Sequence, residues 1–281
     1  MTMTLRTPKP GSTPPVSDDT GPTGHRYRPV QLIDMVFPGD TNHHGTLFGG
    51  VALAHMDKVA FLAASRHGRA PFVTASSEKI DFAAPAREGD MVEVTGRIVR
   101  VGSSSLDVEV ELVAETPVTG ERRMCTRGRF AMVARKGPDT RLPLPPMPSG
   151  TDGQDDHCDR ALRLAEMVFP GQTNHYGTLY GGDALRMMGK AAFIAATRHV
   201  REVLVMASSD RIDFVAPIGE GDMIELVAEV KMTGRSSVRV AVELWSEALL
   251  TGERRHAATA LFTLVSVGPD GRPLPLNTPS A

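Results

Sequence analysis

Apolar and polar positions along the chain follow a pattern that runs through once and then repeats. In the first pass, VALAHMDKVAFLAASRH (51–67) is a run of good helix formers with alanine at five positions and apolar residues on most faces. It predicts a long helix that is buried nearly all round. Beyond it the period shortens to two. FVTASSEKIDF (72–82), VEVTGRIVRV (92–101), LDVEVELVAE (106–115) and RGRFAMVA (127–134) read as strands, with Pro85 and Glu88-Gly89-Asp90 marking a turn after the first. The order is a short N-terminal strand, one long helix, then about four antiparallel strands. A single curved antiparallel sheet wrapped around the helix satisfies both patterns, which gives an α+β domain.

The second pass is a copy of the first. MVFPGDTNHHGTLFGG (35–50) and MVFPGQTNHYGTLYGG (167–182) agree at 13 of 16 positions, and the offset of 132 holds without a gap from Met35 to Arg123. VTASSEKIDFAAPAREGDMVEV (73–94) aligns with VMASSDRIDFVAPIGEGDMIEL (205–226), and TGERR recurs at 119–123 and 251–255. A period this long, present twice, means domain duplication and not a solenoid. The expected layout is a disordered tail at 1–24, domains at 25–136 and 160–268, a Pro/Gly/Asp-rich linker at 137–159 and a C-terminal tail at 269–281.

Composition narrows the chemistry. At 281 residues each copy is long enough to bury its own core. The formal net charge of −2 supplies no overall basic field, so neither nucleic acid nor an anionic membrane is an expected partner. The two cysteines, Cys125 and Cys158, form no CxxC pair and have no ligand-spaced histidines. A disulfide framework and a structural zinc are therefore not expected, and a reducing, cytoplasmic compartment fits. No apolar run approaches a membrane span, and the N-terminus lacks the apolar stretch of a secretory signal.

Comparing the copies singles out a few residues. Asp57 is a carboxylate on an otherwise apolar helix, which is costly without a partner or a task. It either pairs with Lys58 or His55 at an exposed spot or performs chemistry. Its counterpart is Gly189, so the fold does not need the acid. Asn42 and Asn174 lie seven residues before the pairs Gly49-Gly50 and Gly181-Gly182. Turn chemistry alone explains a loop asparagine. Close packing alone explains the glycines, but amides at a helix N-terminus also suit a carbonyl or oxyanion. The neighbouring His43, His44, His175 and Tyr176 gather no acids, so no metal is expected. No GxSxG, P-loop or GxGxxG motif is present.

NHHGTLFGGVALAHMD (42–57) followed by TASSEKIDFAAPAREGD (74–90) resembles the hotdog-fold acyl-CoA thioesterases, and two fused copies resemble the double-hotdog acyl-CoA hydrolases. The resemblance covers about 220 residues, both domains without tail and linker. It implies hydrolysis of acyl-CoA to free acid and CoA, with CoA part of the substrate and no separate cofactor. It further implies that the amide of one domain meets the acid of the other. Asp57 then pairs with Asn174, with Gly181 and Gly182 as oxyanion donors, as general base or as a nucleophile forming an anhydride. The other pairing, Asn42, Gly49 and Gly50 with Gly189, lacks its acid and is degenerate. In related proteins the turn matching Gly234, Arg235, Ser236 and Ser237 contacts CoA, and Arg235 suits a phosphate. The family also implies a homo-oligomer, a trimer of double hotdogs. Two other readings remain: a non-catalytic acyl-CoA-binding sensor or scaffold, and, more distantly, an enoyl-CoA hydratase, whose Asp/His pair is not found.

Overall fold

The computed structural model describes residues 29–137, 139–147, 161–210 and 212–276. Residues 1–28, and with them the expected N-terminal tail, lie outside the described residues, as do 148–160 of the linker and Cys158. The first copy comprises β1 (Val30–Met35), α1 (Gly49–Gly68), β2 (Phe72–Ser77), β3 (Asp81–Phe82), β4 (Met91–Val101), β5 (Ser105–Glu115) and β6 (Arg122–Ala134). The second comprises β7 (Ala161–Met167), α2 (Gly181–Val200), β8 (Leu204–Ser209), β9 (Asp213–Phe214), β10 (Met223–Thr233), β11 (Ser237–Glu247) and β12 (Arg254–Ser266). Each copy forms an antiparallel sheet, in the orders β1-β4-β5-β6-β2 and β7-β10-β11-β12-β8, with β3 and β9 beside β6 and β12. These are tandem hotdog domains, each a curled sheet around one long helix.

Alternation sets which face is buried. Leu106, Val108, Val110 and Leu112 of β5 point at α1, while the residues between them are half-exposed. The sheets bend because the ladders slip by one residue at matching places, between Ile98 and Arg100 on β4 and between Val230 and Met232 on β10. Such bulges increase local twist and curl a sheet around its contents. The region expected as one strand over 72–82 is broken: β2 ends at Ser77, and only Asp81 and Phe82 rejoin β6.

Helix α1 is less enclosed than its composition suggests. Met56, Val59, Ala60 and Leu62 through Ser65 are buried, but Leu53 and Ala54 are exposed and Asp57 is half-buried. Close packing against the sheet is met differently in the two copies. A Cβ on Gly96 of β4 would stand 2.6 Å from Val59 Cγ1. At the same contact the second copy has Ala191 and Ala228, exchanging one large and one absent side chain for two small ones.

Residues assigned above to linker and tail belong partly to the fold. Leu144 N–H donates to Ser103 O, and Leu142 and Leu144 pack on the first core. Leu276 N–H donates to Arg235 O, and Leu276 is buried in the second core. Both segments are apolar strings between prolines, and further backbone hydrogen bonds, from Leu142 to Ala134 O and from Leu274 to Ser266 O, hold them at the ends of β6 and β12.

The domains are joined by a pseudo-symmetric interface. Strands β1 and β7 lie side by side. Met223 of the second copy enters the first core, and Met91 enters the second. Lys58 Nζ meets Glu166 at 2.8 Å, and its counterpart Lys190 meets Asp34 at 2.7 Å. At the helix ends, Arg69 and Arg201 adopt left-handed backbone with φ of 47° and 56°. That conformation costs a non-glycine residue about 1 kcal/mol or more. It aims each guanidinium across the interface, Arg69 to Glu247 at 2.6 Å and Arg201 to Glu115 at 2.7 Å.

Candidate active site

Asp57 occupies the middle of α1. Its carboxylate is not paired with Lys58 or His55. Instead Oδ1 accepts a hydrogen bond from the Thr74 hydroxyl of β2 at 2.6 Å. Lys58 turns to the other domain, bonded to Glu166 and 5.4 Å above the centre of the Phe169 ring. The segment of α1 that carries Asp57 therefore lies against the second domain five residues ahead of Asn174. His55 sits among the interface ion pairs. Burial pushes its pKa down, Asp34 and Glu166 pull it up, and Lys58 and Lys190 push it down, leaving it below 6.5.

Asn174 closes its own loop. Its Oδ1 accepts from the backbone N–H groups of Tyr176 at 2.9 Å and Thr178 at 3.3 Å, and its Nδ2 donates to Thr178 Oγ1 at 2.9 Å. Asn42 does the same with His44 and Thr46. The turn chemistry is thus real at both positions. Among the described residues, Asn174 makes no hydrogen bond to Asp57. Thr178, which Asn174 fixes, lines an apolar opening of about 280 Å³ together with Gly181.

The glycine pairs form the first turn of each helix and do not merely precede it. The caps are the backbones of Phe48 and Tyr180, which offer no side-chain hydrogen bond. In α2 the first bonds back to Tyr180 O come from Asp183 and Ala184. The amides of Gly181 and Gly182 therefore precede the bonded turns, where N–H groups have no helical acceptor and the dipole favours negative charge. A Cβ on Gly182 would stand 2.7 Å from the Tyr180 ring, so any side chain there would have to displace that exposed ring. At Gly181 a Cβ would meet nothing within 4 Å.

The two halves share the asparagine loop and the glycine pair but differ around the acid and beside the first glycine. Where the first copy has Asp57 bonded to Thr74, the second has Gly189 and Met206, and a Cβ on Gly189 would stand 3.0 Å from Met206 Cε. Where Gly181 faces the opening, its counterpart Gly49 has the Phe82 ring 3.7 Å from its Cβ position. Thr74 and Phe82 were not singled out from the sequence. The signal was available, since Thr74 changes to Met206 in step with Asp57 to Gly189.

Gly234 to Ser237 form the turn between β10 and β11. His199 Nε2 lies 2.9 Å from Thr233 Oγ1, which places this turn by the C-terminal end of α2. At 1.5 Å per residue that is about 27 Å along the helix from Gly181. The structure therefore does not bring Arg235 beside the Gly181 amides of its own domain. Arg235 is exposed. Among the described residues, no cluster of three or more His, Cys, Asp or Glu is placed to hold a metal, and no helix is long and apolar enough to cross a membrane.

The family model of the thioesterase superfamily matches twice, over residues 44–121 and 176–252. The chain belongs to the thioesterase superfamily. Both matches begin two residues past Asn42 and Asn174, run through the helix and end just before β6 and β12. Among solved structures, the chain is similar to an acyl-CoA hydrolase from Agrobacterium tumefaciens. The two are 51% identical with a TM-score of 0.80, covering 89% of this chain and 98% of that one. It is 42% identical over 109 residues to an uncharacterized acyl-CoA thioester hydrolase of Bacillus subtilis, covering 39% of this chain and 63% of that protein. It is 23% identical over 297 residues to the rat cytosolic acyl coenzyme A thioester hydrolase, covering 89% of this chain and 78% of that protein.

Proposed function

We propose that this chain hydrolyses acyl-CoA thioesters to a free acid and CoA at one composite site, with Asp57 from the first domain and Asn174, Gly181 and Gly182 from the second. The observation that carries this reading is the one-sidedness of the repeat. The acid, its Thr74 hydrogen bond and the open glycine amides go together in one pairing. The other pairing has Gly189, Met206 and the Phe82 ring beside Gly49. A scaffold role gives no reason for that correlation. A site needing an acid on one side and an oxyanion acceptor on the other gives one.

In this reading the thioester carbonyl lies at the Gly181 and Gly182 amides, whose N–H groups stabilise the developing oxyanion. Thr74 acts as a positioning residue: by holding Oδ1 it fixes the carboxylate plane and leaves Oδ2 free to act. Asp57 takes a proton from water as the oxygen bonds to the carbonyl carbon. The C–S bond then breaks, and the CoA thiolate leaves with that proton. Attack by Asp57 itself gives an anhydride that water opens, with the same balance. Asn174 acts by holding Thr178 and the wall of the opening. Arg235 and its turn, distant within the chain, reach only the far end of a long substrate or a neighbouring copy.

The same reading includes assembly of three chains and a cytoplasmic location. Strands β2 and β8 are exposed beyond their first residues, and Val73, Phe82, Val205 and Phe214 are each about half exposed. Light scattering should give about 91 kDa, three times 30.2 kDa.

The direct test is Asp57→Asn, an isosteric change that keeps the contact with Thr74. Thiol release from acyl-CoA should fall by about a thousandfold or more, while the thermal transition stays within a few degrees. Retention of most activity would falsify the assignment.

A further inference from the structure

Nothing so far fixes which acyl groups the chain takes. We infer that the opening beside Gly181 is the acyl pocket and that Ile218 forms its floor and so limits the length of chain it takes; this rests on the hydrolase reading above. Three observations support it. First, the opening adjoins the amides proposed to hold the thioester carbonyl, and Gly181 itself lines it. Second, apart from Thr178 and Gly181 its walls are apolar, formed by Leu179, Ala184, Phe214, Val215, Pro217 and Ile218. Such a lining suits an alkyl chain and not the amides and phosphates of CoA, which would lose their water without compensation. Third, of the nine residues lining the opening only Val215 and Ile218 differ from their counterparts in the first copy, which are Ala83 and Ala86. Ile218 is buried while Val215 is exposed, so Ile218 sits deep and Val215 at the rim.

The opening is bounded by the buried Ile218 on one side and by the exposed Val215 on the other, so an acyl chain gains contacts until it meets the floor, after which further carbons project into solvent. Each enclosed methylene contributes up to about fourfold in affinity. Replacing Ile218 by alanine removes three carbons and deepens the floor by about that much; the first copy carries alanine at this place, so the change is compatible with the fold.

The test is calorimetric titration of the full chain carrying Asp57→Asn with acyl-CoAs of two to fourteen carbons, repeated with Ile218→Ala added. Because that background does not turn substrate over, binding is read separately from catalysis. The expected result is tightening with chain length up to a plateau, and a plateau about three carbons later in the Ile218→Ala protein. Affinity that ignores chain length overturns the inference. So does a plateau unmoved by Ile218→Ala, and so does a uniform weakening at all lengths, which marks Ile218 as merely structural. If the ladder and its shift appear but the unaltered chain releases no thiol, the pocket stands and the hydrolase reading falls.

Discussion

Glu115 is the place where the union of the domains is most exposed to a single change. Its side chain is 1% accessible and accepts hydrogen bonds from Arg122 at 2.9 Å, Arg198 at 2.6 Å and Arg201 at 2.7 Å. Two of these donors, Arg198 and Arg201, come from the second domain. Burial raises the Glu115 pKa, but Arg198 and Arg201 outweigh it and hold the carboxyl below its usual value of 4.5. Glu115→Gln keeps shape and removes charge. Breaking a wholly buried pair costs about 3–5 kcal/mol. Here Arg198 and Arg122 retain Glu93, and the arginines are 21–45% exposed, so water recovers part of the loss. A net destabilisation of about 2–4 kcal/mol results, which lowers Tm by roughly 5–15 °C for a chain of this size. Glu247→Gln is the internal control. That carboxylate holds Arg69 at 2.6 Å but Arg66 only at 3.4 Å, so about half the effect is expected. Because the folded pKa of Glu115 is depressed, its contribution is complete above pH 4.5 and lost as pH falls below that value. Scanning calorimetry at pH 7 and pH 3.5 reads both effects. A shift under 2 °C at pH 7, or a larger shift for Glu247→Gln, refutes the reasoning.

Three further outcomes follow from the same geometry. Thr74→Val removes the hydroxyl that orients Asp57, and a hydrogen bond to a charged group contributes about 1.5–3 kcal/mol, so kcat/KM for thiol release should fall by roughly 10- to 150-fold with KM little changed; an unaltered rate shows that Asp57 needs no positioning. Gly189→Asp, placed in the Asp57→Asn background, should stay inactive, since Met206 crowds the new side chain and no Thr74 equivalent is there to orient it; thiol release restored by that single change contradicts the degenerate state of the second pairing. His55 has a lowered folded pKa, so it disfavours the folded state as pH drops below 6.5. His55→Met, the residue of the second copy, should therefore flatten the dependence of Tm on pH between 7.5 and 5.5, and equal slopes in the two proteins count against a buried neutral imidazole.

Much of the fold was legible because it is periodic. The 132-residue offset, the Ala-rich helix and the alternating strands map onto α1, β4 and β5 to within two residues. Where periodicity was absent, legibility ended. Leu144 and Leu276 sit in proline-rich strings that read as linker and tail, yet each leucine finds a core. The break after Ser77 leaves no mark in composition. Asp57 was visible because a lone acid on an apolar helix asks for a reason. Its partner Thr74 was not, because a threonine in a strand needs none. The ion pairs that join the domains were invisible for a different reason: Lys58 and Glu166 are 108 residues apart in the chain, and nothing local distinguishes them from solvated charges. Only the comparison of copies, in which Asp57 and Thr74 change together, carries the signal for that half of the site.

The composite nature of the site is tested most directly by measuring kcat/KM for thiol release in Asn174→Ala and Asn42→Ala side by side. The two asparagines make matching hydrogen bonds within matching loops, so the structural cost of removing either is the same and cancels in the comparison. A site built from Asp57 and the second domain predicts a fall of about a hundredfold or more for Asn174→Ala, a double Asn174→Ala/Asp57→Asn protein no less active than Asp57→Asn alone, and a change of no more than about threefold for Asn42→Ala. Equal losses in the two proteins, or the larger loss in Asn42→Ala, contradict it.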